Sequence, residues 1–179
     1  MTRFILLLAL VALAGCGTQT ITTDANTYSV TGPTTALRSG ERVALVNGYS
    51  AETMSEIGEH GGNQFVVDLR QVTETAIAMA AKHLQTMDVV IDAGAQKKVT
   101  LKVMNATMRY QYIPFNSRLR TSLNLSAGFD DGGGALVRAE NAAVILGGAD
   151  PARRSVEGAA MFAVTNLMNE PNFVRYLTR

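Results

Sequence analysis

Hydrophobic positions along this chain change their period several times, and each change predicts an element. The longest unbroken apolar run, residues 4–13, stands at the start behind the lone cation Arg3. It is about half of the roughly 20 residues that a helix needs to cross a bilayer, so it predicts the apolar centre of a secretory signal, residues 1–15, outside the fold. Residues 17–40 show no helical period, are rich in threonine and are broken by Gly32-Pro33. They predict a flexible tether over 16–40, although threonine also favours extended strands and the stretch around Tyr28 could pair with a sheet edge.

From residue 41 to 179 the pattern predicts one folded domain. Arg42–Asn47 reads as a short buried strand ending at Gly48, and residues 50–63, with Gly58, Gly61 and Gly62, read as a loop. Val72, Ala76, Met79, Ala80 and His83 recur at three- and four-residue steps, which predicts a helix over 66–85. Alternation then predicts strands over 98–113, 118–129 and 135–146, the last two divided by the turn Asp130-Asp131-Gly132-Gly133-Gly134. Asp150 as a cap and Pro151 at the first helical position start a final helix, whose stripe is Val156, Ala160, Ala163, Val164 and Leu167. Pro171 should end or kink it, leaving Phe173, Tyr176 and Leu177 as a C-terminal clasp.

The predicted order is β-α-β-β-β-α. Two helices cannot keep both faces of a sheet dry, so the expected architecture is α+β: a two-layer domain, a mainly antiparallel sheet of about four strands with two helices on one face. A hydrophobic fraction of 47% supplies a core for it. With 16 basic and 15 acidic residues, Arg3 departing with the signal, the mature charges balance, and nothing points to nucleic acid.

Leu13-Ala14-Gly15-Cys16 changes the picture most. This tetrad resembles the bacterial lipobox, which implies cleavage before Cys16, a diacylglyceryl group on its sulfur and acylation of the freed amine. Several buried acyl chains bind a membrane durably where one binds marginally. Cys16 is also the only cysteine, so its acylation removes disulfide, thiol and cysteine-metal chemistry. By resemblance to lipoproteins of two-membrane bacteria, Gly17 after the cysteine, rather than Asp, implies the inner leaflet of the outer membrane, with the domain facing the periplasm. With this element order, the chain resembles the YajG-type lipoproteins and the auxiliary lipoproteins of ABC-type transporters, of which Tyr28 is an echo. Neither resemblance carries over binding residues.

The remaining inventory offers little catalysis. His60 and His83 are the only histidines, the first placed in a solvated loop and the second on a helix stripe. Asp130 and Asp131 lack the spacing of a calcium loop, so no metal and no cofactor is expected beyond the Cys16 lipid. Two surfaces stand out. Tyr110, Tyr112, Ile113 and Phe115 form an aromatic connection between strands and are candidate contacts for a partner protein or an acyl chain. Lys97, Lys98, Lys102, Arg109, Arg118, Arg120 and Arg138 form a basic group that could attract anionic lipid or an acidic partner. The expected role is a non-enzymatic, membrane-anchored accessory or partner-binding protein of the cell envelope, or alternatively a lipid or small-ligand carrier with a pocket between sheet and helices.

Overall fold

The computed structural model describes residues 17–32, 40–145 and 150–179. The expected signal segment, 1–15, and Cys16 lie outside the described residues. The order is β1 (Gly17–Ile21), a 3-10 turn (Ala25–Thr27), β2 (Arg42–Asn47), β3 (Met54–His60), β4 (Asn63–Asp68), α1 (Leu69–Gln85), β5 (Val90–Ile91), β6 (Lys97–Gln111), β7 (Arg118–Phe129), β8 (Gly134–Val144), α2 (Pro151–Met168) and α3 (Pro171–Thr178). The strands form a five-stranded sheet, β5-β2-β6-β7-β8, and a three-stranded sheet, β1-β4-β3.

Alternation explains the larger sheet. Along β7, Leu119, Thr121, Leu123, Leu125, Ala127 and Phe129 are buried under the helices, while Arg120 on the opposite face is exposed. β6 follows the same rule until its pairing shifts between Val103 and Asn105, where one extra residue slips the register. Val99, Leu101 and Val103 are buried before the shift and Ala106 and Met108 after it. The amide of Val103 donates instead to Thr73 Oγ on α1 at 3.0 Å, so the irregularity does not leave that donor unpaired.

The two long helices, α1 and α2, cover this one face. α1 buries Val72, Ala76, Met79, Ala80 and Leu84, and α2 buries Val156, Ala159, Ala160, Ala163, Val164 and Leu167. Each fully buried Leu or Val contributes about 1.5–3 kcal/mol. The small residues of α2 let it lie close to the sheet: a Cβ on Gly158 would run into the Asn141 amide, which itself donates to Arg154 O at 3.1 Å.

The α+β class and the helices on one face agree with the expectation, and several details correct it. Among the described residues there are two sheets rather than one of about four strands, and three α-helices rather than two. Residues 54–60, expected in a loop, are β3. Residues 63–68 are β4, so the helix expected from 66 starts at Leu69, where Asp68 accepts the Arg70 amide at 2.9 Å. β2 runs parallel to β5 and β6. Pro171 starts a separate helix, capped by Glu170, which accepts the amides of Asn172 and Phe173 at 2.7 and 2.9 Å.

The expected tether is corrected as well. Gly17–Ile21 pairs in parallel with β4, Gly17 beside Asn63 and Ile21 beside Val67, and Ile21 is buried. Thr23 and Thr75 share a buried hydroxyl hydrogen bond of 2.7 Å. The Asp24 amide donates to Glu157 at 2.7 Å, and Tyr28 donates to Arg154 O at 3.2 Å. Of the rest of that stretch, 33–39 lies outside the described residues.

Glycine brings the two sheets together. A Cβ on Gly58 of β3 would fall on the carbonyl oxygen of Met108 in β6, and two residues on, His60 meets Tyr110. β3 and β6 therefore run in the same sense where they meet. β4 is antiparallel to β3 and β1 parallel to β4. The start of β1, the β3–β4 turn and the β6–β7 hairpin tip consequently share one end of the protein.

Candidate functional site at the hairpin end

The hairpin tip is built on a strained turn. The Asn116 amide donates to Ile113 O at 2.9 Å, closing a turn with Pro114 second and Phe115 third. Phe115 has φ +61°. The third position of such a turn normally falls to glycine or asparagine, and a bulky residue there costs about 1–3 kcal/mol. In this conformation Phe115 is 100% exposed, and Tyr112, three residues earlier, is 73% exposed. Of the candidate contacts, Ile113 is only partly exposed and Tyr110 belongs to the stem.

Tyr110 is fixed on two sides. Its ring stacks on His60 with centroids 3.9 Å apart and 10° between planes, and its hydroxyl donates to Ser117 Oγ at 3.0 Å. Ser117 Oγ in turn donates to Ile113 O at 3.3 Å. The loop histidine is thus a brace between the two sheets. The other histidine, His83, buries its Nε2 against Gly32 with no hydrogen-bond partner among the described residues. Neither ring meets a serine hydroxyl or a carboxylate there, so these side chains assemble no Ser-His-Asp relay.

The basic group divides between surfaces. Lys97 lies on the helix side, 2.9 Å from Glu41. Lys102 sits over the Tyr49 ring at 4.6 Å, and burial pushes the Tyr49 phenol up from its ordinary pKa, with the Asp68 charge adding to it. Arg120 and Arg138 share Glu140, at 3.6 and 2.9 Å. A hydrogen bond from Ser122, then Arg138, holds the Glu140 carboxyl below its ordinary range. Arg109 stands directly across from Arg120, a like-charge cross-strand pair, and among the described residues it meets no carboxylate. Near the tip, cation therefore exceeds anion.

Beneath the hairpin a cleft of about 520 Å³ opens between the two sheets and the start of α2. Phe65, Leu119 and Ile145 give it an apolar lining, and Gln19, Asn63 and Asp150 a polar one. Leu119 of the larger sheet and Pro151 and Ala152 of α2 line it, so it opens at the edge of the interface between sheet and helices.

Sequence reasoning missed Glu157. It is 1% exposed, accepts the Asp24 amide and pairs with Arg153 Nε at 2.7 Å. An acidic residue on an otherwise apolar helix stripe was the available signal. Asp130 and Asp131 serve the clasp: Asp130 accepts from Tyr176 at 2.7 Å, and Asp131 pairs with Arg179 at 3.1 Å. No group of three or more metal-ligating His, Cys, Asp or Glu side chains occurs among the described residues.

Comparison with solved structures defines the fold class. A Xanthomonas campestris protein described under the family model DUF330 shares this fold with a TM-score of 0.54 and 12% identity, over 90% of this chain and 95% of that one. A minor lipoprotein from Acinetobacter baumannii aligns over 77% of this chain and 90% of that one, at 11% identity and a TM-score of 0.39. No protein-family model and no curated protein matches the chain. Among the described residues no helix is long and apolar enough to cross a membrane.

Proposed function

We propose that this protein is a lipid-anchored accessory component of the cell envelope. It is held by acyl chains on Cys16, faces the periplasm from the inner leaflet of the outer membrane, and works by binding rather than by catalysis. One observation carries the reading: the lipobox cysteine stands one residue before β1, a strand joined to the body through its whole length. A lipid on Cys16 would attach directly to a folded domain of adequate core and balanced charge. The resemblance to YajG-type lipoproteins or to auxiliary lipoproteins of ABC-type transporters belongs to this same reading. Labelled palmitate incorporation and membrane fractionation test it. Label in the outer-membrane fraction, abolished by Cys16→Ala, is the expected result; unlabelled protein in the soluble fraction overturns it.

A second reading, a lipid or small-ligand carrier, is favoured by the cleft lined by Phe65, Leu119 and Ile145. Mass spectrometry of organic extracts from the purified protein decides it. A stoichiometric non-covalent lipid supports the carrier, and an empty extract removes it.

A further inference from the structure

The end of the protein where Gly17 begins β1, one residue after Cys16 in the sequence, is also the end that carries the hairpin tip. Gly17 pairs with Asn63, Asn63 pairs with His60, and His60 stacks on Tyr110 in the hairpin stem. Neighbouring strands lie about 4.8 Å apart, so two strand spacings and one ring stack separate the two features. From Tyr110 the chain continues outward to Tyr112 and Phe115, both exposed, with Phe115 held out by its own backbone. Behind the tip, Arg109 and Arg120 face each other across the open side of the sheet, and Arg118 follows the turn.

Aromatic rings ahead of guanidinium groups match the layered chemistry of a bilayer surface. Tyrosine and phenylalanine settle at the boundary of headgroup and acyl chain, while arginines reach the phosphates. A protein partner could answer the cations, but a tip beside the lipid-bearing residue faces lipid first.

We propose that the β6–β7 tip, through Tyr112 and Phe115, inserts into the headgroup region of the anionic leaflet that holds Cys16, as a second and non-covalent membrane contact. This rests on the lipid-anchor reading for the choice of a bilayer over a protein partner and for which bilayer the tip meets. Two contacts fix orientation where one leaves a pivot, so the protein stands end-on with its hairpin down.

The chain contains no tryptophan, which makes the test direct. Phe115→Trp and, at the opposite end of the sheet, Leu136→Trp are placed singly in the mature protein. Each is put on vesicles of phosphatidylethanolamine and phosphatidylglycerol with brominated acyl chains, and the intact mass of the same sample shows whether Cys16 carries lipid. The Phe115→Trp indole should shift to the blue and be quenched several-fold more than the Leu136→Trp indole. Equal quenching in lipidated protein overturns the hairpin contact and leaves the anchor standing. An unlipidated mass overturns the anchor, while quenching of protein added to the vesicles still decides the hairpin. Tyr112→Trp, outside the strained position, serves if Phe115→Trp does not fold. Crosslinking of the tip to a protein, without quenching, overturns the membrane assignment.

Discussion

His60 and Tyr110 lie face to face, 3.9 Å between ring centroids, and so tie the three-stranded sheet to the stem of the β6–β7 hairpin. Aromatic pairs of this kind add about 0.5–1.5 kcal/mol beyond their buried area. His60→Ala should lower stability by on the order of 1 kcal/mol and speed hydrogen exchange around Tyr110 more than in β7 near Phe129. A uniform change in exchange would mean that the stack is not the brace.

Gly58 tests the close approach of the sheets. Its φ is not in the left-handed region, so the backbone itself would accept alanine. The Met108 carbonyl would not, because a backbone atom cannot turn aside as a side chain can. Gly58→Ala should cost about 1–3 kcal/mol, the usual effect of overpacking, seen as a lower denaturation midpoint with an unchanged slope. A neutral result would show that the sheets separate freely.

Phe115 invites the opposite experiment. Asn accepts positive φ more readily than a bulky aromatic residue, so Phe115→Asn should raise stability by about 1 kcal/mol while removing the exposed ring. Thermal unfolding reads the gain, and vesicle flotation of the Cys16→Ala protein, which has no acyl chains to hold it, reads the loss. A variant that loses stability would refute the strained-turn account.

Glu157 holds the N-terminal segment to α2 through the Asp24 amide and Arg153. Glu157→Gln keeps the shape and removes the charge, which should cost about 1–3 kcal/mol. Limited proteolysis should then cut within residues 22–32 before any other site. Cleavage starting elsewhere would locate the weakest attachment differently.

Tyr176 supplies a pH dependence. Burial, then the hydrogen bond to Asp130 and the charge of that carboxylate, push its phenol well above the ordinary value. The folded protein thus holds this proton more tightly than the unfolded chain, whose tyrosines titrate near about 10. The stabilisation is complete below about pH 10 and fades as pH climbs above it. Tyr176→Phe should lose about 1 kcal/mol near neutral pH and show a shallower alkaline decline in urea midpoints. Equal slopes for the two proteins would contradict the assignment.

Legibility followed periodicity. β7 and β8 and the stripe of α2 could be read because each repeats one period over many residues. β3 escaped because Ile57 is its single buried hydrophobic residue, and the flanking glycines imitate a loop. β4 escaped because Val66 and Val67 merge into the helical period that follows, although Asp68 is an ordinary cap signal. β1 was hidden by its company: Gly-Thr-Gln-Thr-Ile has one apolar residue, and its partner strand lies over 40 positions away. The tip residues were visible as aromatics. Their shared end with Gly17 was not, since it depends on the sense in which β3 meets β6.

That β1 begins at Gly17 also limits reach. An acyl group on Cys16 would leave no leash between bilayer and body, so the protein could not sample a wide volume in search of a partner. The longest strand, β6, has 15 residues, and at about 3.4 Å per residue it rises roughly 50 Å. Anchored so and standing along β6, the molecule would be a post rather than a float, and a partner would have to come within that height of the membrane.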